Sequence, residues 1–347
     1  MSASAAAPSD ERLTQVSALT KLLRRPELGA LLGAVVVFAL FAAADTTGNF
    51  ASLDGLANWT GVAAYYGIVA VPVALLMIGG EFDLSAGVMV GTSGLLAGLL
   101  TTEYGLSMWP AIGLTLAFAG LIGFVNGVLV LSTGLPSFIV TLAMYFSLRG
   151  INLGVTKLLT DTVRVGGVDK VPGYDSAQKV LASELGSHLF YIFVLWWLLI
   201  TVVATVILTR TRFGNWIFAV GGDKNAARNT GVPVRRTKIT LFMCTSVAAA
   251  FLGIIQLVRL RSMQAGQGIG DEFNFIICAA VGGCLLTGGF GSAIGASIGA
   301  SIIGMAFLGI SFAGWNTDWT FLFLGVILFI AVLVNTYTGR RAQGARK

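Results

Sequence analysis

Ten long apolar runs account for most of this chain, and short polar segments separate them. In chain order the runs cover residues 28–44, 59–78, 88–100, 109–131, 137–154, 189–208, 239–258, 273–286, 293–310 and 319–334. About 20 consecutive apolar residues are enough for a helix to cross a bilayer. Because only helices and closed barrels span membranes, the sequence predicts an all-α polytopic membrane protein with about ten transmembrane helices.

The scarcity of charge supports this class of protein. Charged residues make up 11% of the 347 residues, and hydrophobic residues make up 56%. A soluble domain carries about 25% charged residues, so this chain could not cover a globule in water. The net charge of +6 is then expected to reflect orientation in the membrane and not binding to nucleic acid.

The distribution of cations predicts that orientation. Of the 22 lysines and arginines, 15 lie in three segments: four in a tail at residues 1–26, seven in the loop 209–238, and four in a basic tail at 339–347. Cations are enriched on the cytoplasmic side of a membrane. Both tails and the loop 209–238 are therefore predicted to be cytoplasmic, with a transmembrane domain at 27–338 and with Asp271 and Glu272 in an outer loop.

The order of the runs suggests a repeat. Runs 2–5 and runs 7–10 begin on opposite sides of the membrane in this topology, although the two sets share little sequence similarity. Inverted repeats of this kind are common in transporters. The sequence therefore predicts an inverted repeat of helices 2–5 and 7–10.

A break with two carboxylates lies between the second and third runs. Residues 79–85 read Gly-Gly-Glu-Phe-Asp-Leu-Ser and leave no room for a loop. Paired glycines end a helix, Asp83 or Ser85 can cap the next, and a carboxylate at membrane depth costs about 3 kcal/mol. Such breaks occur where backbone lines a cavity or is buried in protein. Candidates for a pathway or gate are Glu81, Asp83, Ser85 and Asn126; the alternatives are a tight inner turn capped by Asp83 and a hydrogen bond between helices made by Asn126.

The loop 209–238 contains the signature of a short helix. Asp223 is a good N-cap, Gly231 suits a left-handed stop, and Pro233 prevents continuation. A short helix held on a cytoplasmic loop can contact a cytoplasmic partner, and the alternative is a solvated basic loop that only fixes orientation. The residues expected to make such a contact are Asp223, Lys224, Ala226, Ala227, Arg228 and Gly231.

Signatures of catalysis are lacking in the sequence. It contains no Gly-x-x-x-x-Gly-Lys-Ser/Thr loop for binding phosphates. Its three cysteines lack the spacing of metal ligands, and no nucleophile–base pair stands out. The chain is therefore predicted to be neither an ATPase nor another enzyme and to need no cofactor.

Four stretches resemble the permease subunits of ribose-type sugar ABC importers, and the likeness covers nearly all of residues 50–338. Residues 80–87 resemble the Gly-Gly-Ile-Asp-Leu-Ser-Val-Gly signature of that family, with Glu81 and Phe82 in place of its usual Gly-Ile or Gly-Val pair. The other three stretches are 126–150 (Asn-Gly, then Leu-Pro-Ser-Phe-Ile-Val-Thr-Leu, then Leu-Arg-Gly), 211–231 (Thr-Arg-Phe-Gly, Ala-Val-Gly-Gly, Ala-Ala-Arg and Gly) and 280–292 (Ala-Val-Gly-Gly and Gly-Gly-Phe-Gly-Ser).

The resemblance implies a transport subunit of the bacterial inner membrane that works with several partners. These are two ABC ATPase subunits, a second permease that is identical or related, the surrounding lipid, and a periplasmic binding protein that delivers a monosaccharide or related polyol. It also implies that the loop 209–238 carries the coupling helix and that specificity resides mainly in the binding protein.

Two other classes of transporter remain open. A self-sufficient secondary transporter or channel would need ion-coupling side chains within its spans, for which Glu81 and Asp83 are the only candidate pair. A branched-chain amino-acid-type permease shares the architecture but fits the Asp-Leu-Ser signature less well.

Overall fold

The computed structural model describes residues 26–186 and 190–344. Helices form most of these two ranges: α1 Pro26–Ala44, α2 Leu53–Ile78, α3 Ala86–Thr102, α4 Met108–Thr133, α5 Ser137–Thr160, α6 Tyr174–Leu181, α7 Phe193–Arg210, α8 Arg212–Gly222, α9 Lys224–Asn229, α10 Val234–Leu260, α11 Asp271–Val281, α12 Ala293–Phe312 and α13 Thr320–Gly344. The tail predicted for residues 1–26 lies, except for Pro26, outside the described residues, as do residues 345–347.

The helices confirm an all-α polytopic membrane protein. Within the described ranges, seven helices are long and apolar enough to cross a membrane: α1, α2, α4, α5, α7, α10 and α12. Each of the ten apolar runs overlaps a helix, and the three runs outside these seven helices overlap α3, α11 and α13. Ten crossings, cytoplasmic termini and the inverted repeat remain predictions.

Two central helices, α2 and α10, form the middle of the bundle. In the most apolar part of α2, 89% of the residues are buried, compared with 17% in α1. Helices α3 and α12 pack against this centre. Large apolar side chains remain exposed along α1, α4, α5 and α7, as expected for surfaces that face lipid or another membrane subunit.

Glycines set the close contact between α4 and α10. A Cβ atom at Gly123 would lie 2.6 Å from the carbonyl oxygen of Phe242, and one at Gly127 would lie 2.8 Å from the Cα of Ile239. Their spacing of four places both glycines on one face of α4, and this face lies directly against the backbone of α10.

The long polar stretch after α5 is folded against one end of the bundle, which is the outer end in the predicted topology. Strand β1 Arg164–Gly166 pairs antiparallel with β4 Ser262–Gln264, and β2 Glu184–Leu185 pairs with β3 Phe190–Tyr191. The hydroxyl of Tyr174 in α6 donates a hydrogen bond to the carbonyl of Val258, at a distance of 2.8 Å. These contacts connect the stretch to the carboxyl end of α10.

Asp271 and Glu272 do not lie in an exposed loop, and the outer side predicted for them stays a prediction. Asp271 accepts a 2.6 Å hydrogen bond from the hydroxyl of Tyr65, which lies twelve residues into the 26-residue helix α2. Glu272 is only 3% exposed and packs against Gly87 at the start of α3. Gly87, Gly91 and Gly94 form a glycine-rich face of α3. After β4 the chain turns back into the bundle along this face, and α11 begins inside the protein.

Candidate functional site

Residues 79–85, here called the break segment, join α2 to α3 beside the start of α5. Ser85 contacts Asn126, which lies seven residues before the end of α4 at Thr133. Gly79 packs against Leu241, seven residues after the start of α10. Seven helical residues span about 10 Å. The break segment is therefore recessed by roughly that distance from the cytoplasmic ends of α4 and α10 in the predicted topology.

Hydroxyl groups of α5 satisfy the backbone of the break segment. The amide of Phe82 donates to Ser137 Oγ, and the amide of Leu84 donates to Thr141 Oγ1, both at 3.0 Å. Buried amides outside regular structure need such partners. The sequence interpretation did not assign these two residues a role, although their spacing of four on one helical face is a usable signal.

We expect Thr141→Val to destabilise the protein by about 1–3 kcal/mol, because the buried amide of Leu84 would lose its acceptor. The substitution keeps the shape of the side chain, so the missing hydroxyl is the main change. Ser147→Ala is the matched control, since Ser147 is an exposed hydroxyl on the same helix. The measurement is thermal unfolding of the purified protein in detergent; equal midpoints for the two variants would contradict the role of Thr141.

Asp83, Ser85 and Asn126 form one buried network. Asp83 Oδ1 accepts hydrogen bonds from the Ser85 amide at 2.9 Å and from Ser85 Oγ at 2.5 Å. Asn126 Nδ2 donates to Ser85 Oγ at 3.0 Å. Ser85 does not cap α3 with its own side chain, so Asp83 is the residue that orders the start of that helix. Within the described part of the chain, Asp83 Oδ2 and Asn126 Oδ1 lack a hydrogen-bond partner.

Glu81 lies outside this network and pairs with a lysine of α10. Its carboxylate accepts a hydrogen bond from Lys238 Nζ, and the side chains are 12% and 5% exposed, respectively. Lys238 was counted among the cations of the cytoplasmic loop, but it lies buried in the second turn of α10. The pair therefore connects the break segment to the helix that follows the loop 209–238.

The short helix of the loop is α9. Asp223 caps it by accepting hydrogen bonds from the amides of Asn225 at 2.8 Å and Ala226 at 3.0 Å. The chain leaves at Gly231, whose φ of +82° lies in the left-handed region. The sequence prediction of these two ends is confirmed.

Ala227 does not lie on the surface that a partner would meet. It is 4% exposed and packs with Val220 and Val234, so its side chain faces the protein, and the coupling role predicted for Ala227 stays a prediction. The neighbouring Ala226 is exposed. A groove of about 630 Å³ beside α9 is lined by four cations, Lys224, Arg228, Arg235 and Arg236.

Helix α8, which the sequence interpretation did not predict, links α9 to the break segment. A Cβ atom at Gly221, near the end of α8, would lie 1.7 Å from the carbonyl oxygen of Ile78. The same carbonyl accepts a 2.8 Å hydrogen bond from the amide of Gly289. Backbones from α2, α8 and the turn between α11 and α12 thus meet directly. A shift of α8 and α9 would therefore reach the break segment without an intervening side chain.

Comparisons with known proteins agree on one family. Residues 55–332 match the family model described as branched-chain amino acid transport system / permease component. Three relatives from Escherichia coli (strain K12) illustrate this. The probable ABC transporter permease protein YphD is 33% identical over 92% of this chain and 92% of its own. The xylose transport system permease protein XylH is 29% identical over 90% and 92%, and the ribose import permease protein RbsC is 28% identical over 89% and 93%. No solved structure shows significant similarity.

Proposed function

The chain belongs to the branched-chain amino acid transport system / permease component family, and we propose that it is the membrane-spanning subunit of an ATP-driven importer for a monosaccharide or related polyol. The names of XylH and RbsC, which align over most of their length, favour a sugar over a branched-chain amino acid. The protein is a multi-pass protein of the bacterial inner membrane.

The observation that carries this proposal is the direct contact between the helix unit α8–α9, which is cytoplasmic in the predicted topology, and the break segment. An importer driven by a separate ATPase needs an element on the cytoplasmic side that moves with the ATPase and acts on the spans. Helix α9 offers an exposed face with Lys224 and Arg228, and arginine suits charge-assisted hydrogen bonds to acidic groups of a partner. Gly221 brings the preceding helix against the backbone at Ile78 and against Gly80 of the break segment.

The partners follow from this role. ATP hydrolysis belongs to separate ABC ATPase subunits that dock on α9. A binding protein on the outer side delivers the sugar, and a second permease, identical or related, completes the membrane core. The exposed apolar faces of α4, α5 and α7 leave room for that second subunit and for lipid.

The gate role proposed for the break segment rests on its polar groups. The Glu81–Lys238 pair ties the segment to α10, while the Asp83 network ties it to α4. The unpaired acceptors Asp83 Oδ2 and Asn126 Oδ1 would gain donors only through rearrangement or bound water. A displacement of α10 would pull on Glu81 first, because its partner sits on that helix.

The competing secondary transporter finds less support. Such a carrier needs side chains free to bind a coupling ion, and Glu81 is already paired with a cation. Asp83 is turned to Ser85 and Asn126 instead, so the two carboxylates do not form one ion site.

The test is sugar uptake into proteoliposomes. We expect vesicles that contain this chain alone to take up neither D-xylose nor D-ribose under an imposed proton or sodium gradient. Supplying the ATPase, the binding protein and ATP should start uptake of the transported sugar. Gradient-driven uptake by the chain alone would refute the importer and favour the carrier.

A further inference from the structure

A cavity of about 430 Å³ opens between the outer half of α2 and parts of α7, α10 and α12. Five residues of α2 line it: Asn58, Gly61, Val62, Tyr65 and Tyr66. Their spacing places them on one helical face over nine residues, or about 12 Å. The cavity thus extends from near the outer end of α2 to its middle, and its volume falls in the range of small-molecule sites.

One polar side chain of this cavity makes no hydrogen bond to the described part of the protein. Gln256 of α10 lines the cavity and is 4% exposed, yet within residues 26–186 and 190–344 no hydrogen bond of its side chain is seen. The amide atoms are not among the buried unpaired ones, so they are open to the cavity and free to bind a solute. A polar solute in the cavity would supply both a donor and an acceptor for this amide.

The rest of the lining combines aromatic rings with fixed polar groups. At the inner end, the Tyr65 hydroxyl is held by Asp271. At the outer end, the Arg259 guanidinium lies 4.4 Å from the ring centroid of Tyr191. Aromatic surface with a few convergent hydrogen-bonding groups suits a molecule with apolar C–H faces and many hydroxyls.

We propose that this cavity is a binding site for the translocated monosaccharide on its way through the permease, with Gln256 as its central hydrogen-bonding residue. This inference rests on the proposed function, to which it adds a place for the sugar within this chain. The binding protein then releases its sugar into a cavity that selects for hydroxylated solutes. Selectivity would be shared between the two proteins.

The test uses the complete reconstituted complex with D-xylose and D-ribose as probes. We expect Gln256→Leu to lower the maximal import rate of the transported sugar by about tenfold, because a buried hydrogen bond to the sugar is lost. Val62→Trp, which fills the cavity, should lower import at least as much. Basal ATP hydrolysis is measured in parallel, so that a loss of import can be separated from a loss of the assembled complex. Gln264→Leu is the matched control, since Gln264 is exposed on β4.

A second measurement reports binding without transport. A cysteine at position 62, in a Cys244→Ser background, should react with an impermeant maleimide added from outside, and the transported sugar should slow that reaction. A cysteine at the exposed outer residue Asp169 should react at the same rate with or without sugar.

The outcomes separate the two proposals. Native import by both Gln256→Leu and Val62→Trp, with no protection at position 62, would overturn this binding site and leave the importer standing. Failure of the native complex to import either probe would count against the proposed function itself, and against this site with it.

Discussion

Ala226→Trp is expected to abolish sugar-stimulated ATP hydrolysis by the assembled complex while the permease stays folded. Ala226 is exposed on α9, so an indole ring there meets solvent in the isolated subunit and collides with the ATPase in the complex. Blocking a central contact of an interface costs about 2 kcal/mol or more, which weakens association roughly 30-fold. The measurements are co-purification of the ATPase and its stimulated activity.

Two variants make this test specific. Ala226→Ser keeps a small side chain at the same position and should retain docking. Ala227→Trp should lower the stability of the permease itself, because Ala227 is buried against Val220 and Val234 and overpacking costs about 1–3 kcal/mol. Native stimulation by the Ala226→Trp complex would show that α9 is not the docking element.

The sequence predicts the local features of this protein well. Apolar runs long enough to span a membrane become helices, because burial of their backbone in lipid leaves no other arrangement. Asp223 and Gly231 fix the ends of α9 through contacts within a few residues. Asp83 likewise orders the start of α3 through a hydrogen bond with Ser85, only two residues away.

Features that depend on distant parts of the chain could not be predicted in this way. Glu81 and Lys238 are 157 residues apart, and neither has a local pattern that indicates its partner. Asp271 and Glu272 follow a run of turn residues, which is typical of a surface loop. Only the glycine face of α3 allows the chain to re-enter there. The exposure of Ala226 and the burial of Ala227 likewise depend on how α9 rests on α8 and α10.

The second large effect is expected at the Glu81–Lys238 pair. Glu81→Gln should destabilise the protein by about 3–5 kcal/mol, because Lys238 would remain buried without its counter-charge. Lys238→Met should have a comparable effect, since it leaves the carboxylate unpaired. Thermal unfolding in detergent, together with the yield of folded protein, measures these losses.

The double variant Glu81→Gln/Lys238→Met separates structure from function. Removing both charges leaves no unpaired ion, so stability should return to near the native level, as it does when buried ion pairs are replaced together. Transport should not return, because the double variant lacks the ion pair through which α10 moves the break segment. Its ATPase subunits should still dock and hydrolyse ATP, now uncoupled from uptake. If uptake recovers in step with stability, the pair is a structural contact and the coupling role is wrong.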